Sequence, residues 1–379
     1  MKRKFLALAL ALLQLPALAA CGAAKPEEVK RDWEVSELNE AYREDIEKKC
    51  QDFFEKNNPA GSGMAVGIVD NGKVSFLNYG LTDKEGAAID EHTRFEIASV
   101  TKTFTGLLLS EMVADEAFGA TLNDPADKYL PFALPEKNGK KIELWHLSTH
   151  TSGLPRMPSN YQENHNPYAD YTMEKLTDYF SGNVMMTGEP GEEYAYSNLG
   201  TGTLGVALVQ MAGKEYNSGR GYEELLTERI LAPLDMKETK IYLNEEELAA
   251  MARPHTAMGT PYPAWDFDAL AACGAIRSTT WDLTQYMSAA MGQTACPENL
   301  AAAFDESCTL RFSGQNSIGL GFHVTKLRGG YTANWHDGVS GGSRSALIFC
   351  EKTGKGVVIL CNSAVFVYDL AVDLLNSMN

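Results

Sequence analysis

With 379 residues, 44% hydrophobic and 22% charged, the chain has ordinary globular composition and the length of two average domains or one large catalytic domain with an insertion, which excludes a small module and a disordered chain. Its 33 Lys and Arg against 50 Asp and Glu give a net charge of −17. A surface that acidic repels phosphate backbones and anionic lipid, which argues against a nucleic-acid partner.

The chain opens on a targeting segment. Lys2, Arg3 and Lys4 precede an apolar run from Phe5 to Leu13 and small residues up to Cys21, so residues 1–20 read as a signal peptide, too short in its apolar part to span a bilayer. The tetrapeptide "LAAC" (Leu18 to Cys21) resembles the lipobox of bacterial lipoproteins, which implies that Cys21 becomes the lipidated first residue of an extracytoplasmic protein anchored at the cell membrane. Loss of three basic residues leaves the mature chain more acidic still, so membrane contact would rest on the anchor. Residues 21–35 are polar and without apolar periodicity, and read as a flexible tether.

The folded body is expected over 36–379 as a single catalytic domain. Leu38, Tyr42, Ile46 and Cys50 recur every four residues, which predicts an amphipathic helix with Ser36 as its N-cap. Alternating apolar runs around Asn71-Gly72 predict a β-hairpin. The next run, "FEIASVTKTFTGLLLSEM", has helix-like apolar spacing and contains the only S-x-x-K in the sequence. Ser99 and Lys102, three residues apart, share one helix face. A Ser hydroxyl needs a base, and a Lys supplies one where burial or nearby positive charge lowers its pKa; the helix N-terminus adds backbone N–H donors for developing negative charge.

Residues 124–274 read as a mostly helical lobe broken by Gly/Pro-rich loops. Within it, His146 and His150 have the spacing of a helical metal pair but no third ligand, so no metal or other cofactor is predicted. Tyr161, Tyr168, Tyr171, Tyr262 and Trp265 are candidates for a pocket rim. Tyr196-Ser197-Asn198 follows Pro190-Gly191 and precedes a helix of small and apolar residues. A phenol beside a Lys ammonium loses its proton more easily and can relay it, and an Asn amide can bond a substrate amide or ester. The competing Tyr242-Leu243-Asn244 is set aside, because Asn244 is a natural N-cap for the acidic turn that follows.

From 275 the chain returns to strands. His336-Asp337-Gly338 begins one, and "ALIF" and "GVVILC" form a terminal hairpin before an amphipathic helix, "VYDLAVDLLNSM". Lys352-Thr353-Gly354 lies in that hairpin's turn and reads as turn chemistry. Six cysteines follow Cys21 without a disulfide-framework or zinc spacing. Pairing about the turn would set Cys350 opposite Val357 and Cys361 opposite Ala346, so those two should not bond; Cys296 and Cys308 are the one pair worth testing. The sum is an α+β unit with a sheet layer from about 36–123 and 275–379 and the helical lobe between.

With "SVTK", "YSN" and "HDG" in that order, together with "HLSTHTSGLP", "PGEEYAYSN", "PLDMKET", "GAIRSTTWDL" and "GLGF", the chain resembles the serine β-lactamase and penicillin-binding-protein superfamily over about residues 40–379, in its class C β-lactamase-like branch with D-Ala-D-Ala carboxypeptidases and esterases. The resemblance implies a β-lactamase/transpeptidase-like antiparallel sheet flanked by helices. It further implies Ser99 as the acylated nucleophile, Lys102 as its base partner, Tyr196 as proton relay and Asn198 as a substrate hydrogen bond. Gly338 and Val339 would lie on the substrate-binding strand, with the backbone N–H groups of Ser99 and Val339 as oxyanion hole.

His336 stands where class C β-lactamases carry the Lys of K-T-G, and Asp337 replaces Thr. A His is mostly neutral at pH 7, so His336 is expected to clamp a substrate carboxylate poorly and better below about pH 6.5. Arg344 is an alternative charge, but reads as a strand-end residue. The expected function is an extracytoplasmic serine hydrolase that cleaves, or transfers the acyl group of, esters or D-amino-acid peptides, its partners being small-molecule or peptidoglycan-derived acyl substrates and the membrane through the anchor. A true β-lactamase and a catalytically silent penicillin-binding receptor are the alternatives.

Overall fold

The computed structural model describes residues 31–57 and 59–379; the signal segment, Cys21 and the tether up to residue 30 lie outside the described residues. The remainder of the expected tether is docked. Arg31 bonds the carboxylate of Asp282 (2.7 Å) and the carbonyl of Asp235 (2.6 Å), and Trp33 Nε1 donates to Gln285 Oε1 (2.6 Å). Strand β1 (Glu34–Val35) pairs in parallel with β3, and Ser36 belongs to the same edge: its N–H donates to Val74 O at 2.8 Å. Ser36 therefore caps no helix, and α1 runs Arg43–Asn57 with Ile46 and Cys50 buried. Arg31→Ala would leave Asp282, 0% exposed, without its cation. It is expected to cost about 3–5 kcal/mol, seen as a lower urea midpoint at unchanged m-value.

Asn71 and Gly72 both take positive φ (52° and 81°), as a two-residue turn matched to strand twist requires, and join β2 (Gly63–Asp70) to β3 (Lys73–Gly80). The other strands are β4 (Phe95–Glu96), β5 (Arg277–Ser278), β6 (Phe312–Ser313), β7 (Ser317–Ile318), β8 (His323–Lys326), β9 (Thr332–Val339), β10 (Arg344–Cys350) and β11 (Lys355–Cys361). Nine of them form one sheet in the order β1-β3-β2-β11-β10-β9-β8-β7-β6, antiparallel except at β1, while β4 and β5 pair separately. In β10 and β11 both faces are buried, which explains their nearly continuous apolar runs. Ala346, Ile348, Val357 and Ile359 pack on α1 and on α10 (Tyr368–Met378); Leu347, Phe349, Val358 and Leu360 face the main core.

That core is built by α2 (Thr101–Ala114), α5 (Asn198–Met211), α8 (Thr280–Ala290) and α9 (Glu298–Cys308). Residues 101–112 of α2 and 198–209 of α5 are buried throughout, so each helix is enclosed on every side. The region between sheet segments holds α3 (Leu144–Ser148), α4 (Met173–Ser181), α5, α6 (Arg220–Leu226) and α7 (Glu245–Ala250). The terminal hairpin turns through Glu351–Gly354, which shifts its register from the expected one: Cys350 lies opposite Lys355 and Cys361 opposite Arg344. Among the described residues Cys296 and Cys308 form no disulfide, and Cys50, Cys273 and Cys350 are likewise unbridged.

Candidate active site

Ser99 lies in a short 3-10 turn, Ala98–Val100, that runs directly into α2. The turn is strained, since Ala98 adopts φ 45°, a left-handed conformation costing a non-glycine residue about 1–2 kcal/mol. It is held from two sides. Ile97 N–H donates to Ile276 O (3.0 Å), and Ser345 Oγ donates to Ile97 O (2.7 Å). The distortion presents a half-buried Ser99 to a cleft of about 310 Å³, the pattern of strain stored where chemistry needs a fixed atom.

One helical turn on, Lys102 is 1% exposed. Its Nζ donates to Ser99 Oγ (3.2 Å) and to Cys273 O (2.6 Å). Burial, reinforced by the positive charge of Arg156, lowers the Lys102 ammonium from its ordinary value to about 8. Tyr196 completes the group, with its Oη donating to Ser99 Oγ at 2.8 Å. Lys102 Nζ and Arg156 Cζ each lie 4.8 Å from the centre of its ring. Those cations do not make the phenol more acidic overall, contrary to the expectation from sequence: desolvation dominates and raises its pKa well above the usual phenol range. Tyr196 is thus a proton holder in the resting site.

The loop carrying Tyr196 is fixed by its neighbours. Ser197 caps α5, its Oγ accepting from Gly200 N (2.8 Å) and donating to Pro155 O (2.7 Å), while its own N–H donates to His150 Nδ1 (3.2 Å). Asn198, in the first turn of α5, donates through Nδ2 to Tyr168 Oη (2.9 Å). Its buried Oδ1 has no partner among the described residues, so the amide offers the cleft an acceptor more readily than a donor. His150 serves this loop, and His146 Nδ1 accepts from Glu143 N (2.9 Å) in the cap of α3. The competing Tyr242 is tied to the carbonyls of Ser218 and Phe267, and Asn244 caps α7 with Glu247.

On the strand side, His336, Asp337, Gly338 and Val339 lie in β9, and the alternation of the strand corrects the expected roles. Asp337 and Val339 line the cleft; His336 does not. His336 is 1% exposed, with its ring 6.4 Å from that of Tyr196 and 5.1 Å from that of His323. Burial, with His323 and Lys102 nearby, lowers its pKa well below the ordinary imidazole value, which opposes the expected gain of a cation near pH 6.5. Gly338 does not line the cleft either. A Cβ on it would meet Ile97 O at 2.2 Å, so its glycine lets β9 lie against the turn that carries Ser99. Arg344 donates to the carbonyls of Ser340 and Ser343, both at 2.8 Å, and lies over Phe366. It is a structural residue of the strand end.

Of the predicted rim aromatics, Tyr168 and Trp265 line the cleft, together with Phe267. Tyr171 is core, and Tyr262 lines a separate groove. Sequence reasoning missed Cys273, whose contribution is a backbone carbonyl, and Arg156, a lone residue beside a proline with no periodic signal. A larger groove of about 1160 Å³ lies beyond β8 and β9, lined by Asn334, Trp335 and Lys352 among others. It holds no serine hydrogen-bonded to a lysine, which sets it apart from the smaller cleft.

Comparison with known proteins bears on the family and the fold. The family model "Beta-lactamase" matches residues 51–375. A β-lactamase of Pseudomonas fluorescens is 27% identical over 79% of this chain and 88% of its own length. The D-alanyl-D-alanine-carboxypeptidase/endopeptidase AmpH of Escherichia coli (strain K12) is 34% identical over 47% of this chain and 45% of its own. Among solved structures, a class C β-lactamase superposes with a TM-score of 0.75 at 22% identity, covering 89% of this chain and 95% of that one. A β-lactamase/D-alanine carboxypeptidase of Pseudomonas syringae gives 0.74 at 21%, covering 88% and 97%. At such identities these two structures speak for the fold, while the family match spans nearly all of the folded chain: the protein belongs to the beta-lactamase family, within the serine β-lactamase and penicillin-binding-protein superfamily, and is a serine hydrolase.

Proposed function

We propose that the protein is an extracytoplasmic, lipid-anchored serine hydrolase that forms an acyl-enzyme at Ser99 and cleaves, or transfers the acyl group of, esters or D-amino-acid peptides. The observation that carries the reading is a single serine oxygen 3.2 Å from a buried lysine Nζ and 2.8 Å from a tyrosine Oη. In its neutral form Lys102 takes the Ser99 proton as Oγ attacks the carbonyl carbon. The resulting oxyanion is held by the N–H groups of Ser99 and Val339. Tyr196 delivers a proton to the leaving group and recovers it from Lys102; water, or an acceptor alcohol, then releases the acyl group by the reverse transfers. Asn198 Oδ1 accepts from a substrate N–H.

Asp337 lines the cleft from β9; burial raises its carboxyl above the usual carboxylate range, and in its ionised form it opposes an anion at that wall. This favours neutral esters over β-lactams and over any other substrate that sets a carboxylate against that wall. A panel of short p-nitrophenyl esters, a D-Ala-D-Ala peptide and a chromogenic cephalosporin tests it: the esters should turn over faster than the cephalosporin, and a cephalosporin rate above both the esters and the peptide would make the protein a β-lactamase. The base predicts the pH profile. Since only neutral Lys102 accepts a proton, kcat/KM for an ester should rise about tenfold per pH unit below about 8 and level off above it. A profile flat from pH 6 to 9 would remove Lys102 from the role.

Among the described residues no helix is long and apolar enough to cross a membrane, and the proposed membrane contact is the lipid on Cys21. Metabolic labelling with a fatty-acid analogue should mark the wild type and not Cys21→Ser. An unlabelled wild type would reject the anchor.

A further inference from the structure

Arg156 stands in the cleft without an acid. Arg31 pairs with Asp282, Arg229 with Glu111 and Asp115, and Arg277 with Asp266, whereas Arg220 rests over the Tyr242 ring and Arg344 on backbone carbonyls, both outside the cleft. Arg156 shares the cleft with Ser99 and Asn198, is exposed, and makes no ion pair or side-chain hydrogen bond among the described residues. Its guanidinium lies over the Tyr196 ring, at 4.8 Å from the centroid. Its backbone, by contrast, is anchored, since its carbonyl accepts from the N–H groups of Asn198 (3.0 Å) and Leu199 (3.2 Å). The chain carries a net charge of −17, so a guanidinium with no carboxylate partner beside the nucleophile is a poor arrangement for stability alone. Its planar fork of donors matches a carboxylate.

We infer that Arg156 is the anion-recognising residue of the cleft: the preferred acyl substrates carry a carboxylate that pairs with Arg156, away from the β9 wall where Asp337 repels it. This rests on the acyl-transfer reading above and names its substrate class. The structural rival is that Arg156 only supports the Tyr196 ring, and the two readings differ in what its loss does. A supporting role slows neutral and anionic substrates alike, whereas recognition changes their ratio.

The test compares wild type, Arg156→Gln and Arg156→Lys on three esters. These are neutral p-nitrophenyl butyrate, mono-p-nitrophenyl glutarate with its carboxylate on the acyl chain, and the butyryl ester of 4-hydroxy-3-nitrobenzoate with its carboxylate on the leaving group. In wild type at least one anionic ester should exceed the neutral one in kcat/KM. Arg156→Gln should lower that anionic-to-neutral ratio about tenfold or more, mainly through KM, with Arg156→Lys in between. An unchanged ratio, including an equal fall on all three esters, overturns the inference. Saturation-transfer NMR with glutarate reads the site without turnover: the signal should appear with wild type and vanish with Arg156→Gln, and no binding or equal binding overturns it. Persistence of hydrolysis in Ser99→Ala would instead defeat the acyl-enzyme reading, while the NMR result still decides the role of Arg156.

Discussion

Ser99→Ala and Lys102→Ala should each lower turnover by on the order of 10⁴-fold or more, and the double variant should be scarcely worse than either, because nucleophile and base act as one unit. Neither change should unfold the protein. Ser99 is half-buried in a turn whose geometry is held by Ile97 and Ser345, and removing its hydroxyl leaves that support intact. Lys102→Ala removes a buried ammonium but also strips Cys273 O of its 2.6 Å donor, an orphaned carbonyl costing about 1–3 kcal/mol. The variant should therefore melt at a lower temperature with an unchanged circular dichroism spectrum. Substantial turnover in either folded variant would remove both residues from the chemistry.

Tyr196→Phe should slow acylation by about 10²–10⁴-fold. The substitution deletes one atom, the Oη that donates to Ser99 Oγ at 2.8 Å, and retains the ring between Lys102 and Arg156, so the loss reports the proton transfer and not the packing. Tyr242→Phe is the matched control. Its Oη is bonded to the carbonyls of Ser218 and Phe267, and Tyr242 itself does not line the Ser99 cleft, so its removal should leave turnover within about twofold while costing about 1 kcal/mol of stability. Pre-steady-state release of p-nitrophenol separates acylation from deacylation. A damaging Tyr242→Phe with a neutral Tyr196→Phe would reverse the assignment.

What could be read from the sequence, and what could not, divides by the range of the interaction. The Ser99 and Lys102 pair is local, because a three-residue spacing on a helix dictates that the two side chains meet. The Asn71-Gly72 turn is equally local, since only residues tolerant of positive φ close it. The meeting of Ser99 with Tyr196 depends on the packing of α2 against α5, and only the order and wording of the motifs pointed to it. Two contributors left no signal at all: the carbonyl of Cys273 is backbone, and Arg156 is a single exposed residue. His336 shows the opposite error. Its motif placed it correctly on the strand, but strand alternation turned it into the interior and gave Asp337 the cleft, and burial then lowered its pKa well below that of an unperturbed imidazole. Residues 31–35 read as tether because two side-chain anchors and a two-residue edge strand create no periodic pattern.

The central claim is that the oxygen held between Lys102 and Tyr196 becomes covalently acylated. Incubation of the folded protein with a fluorophosphonate or a labelled penicillin, followed by intact-mass measurement and peptide mapping, tests it most directly. The account predicts a single adduct on the peptide containing Ser99, absent from Ser99→Ala and much slower to form in Lys102→Ala. Folded wild-type protein that takes no adduct at Ser99, or takes one at a different serine, would contradict it.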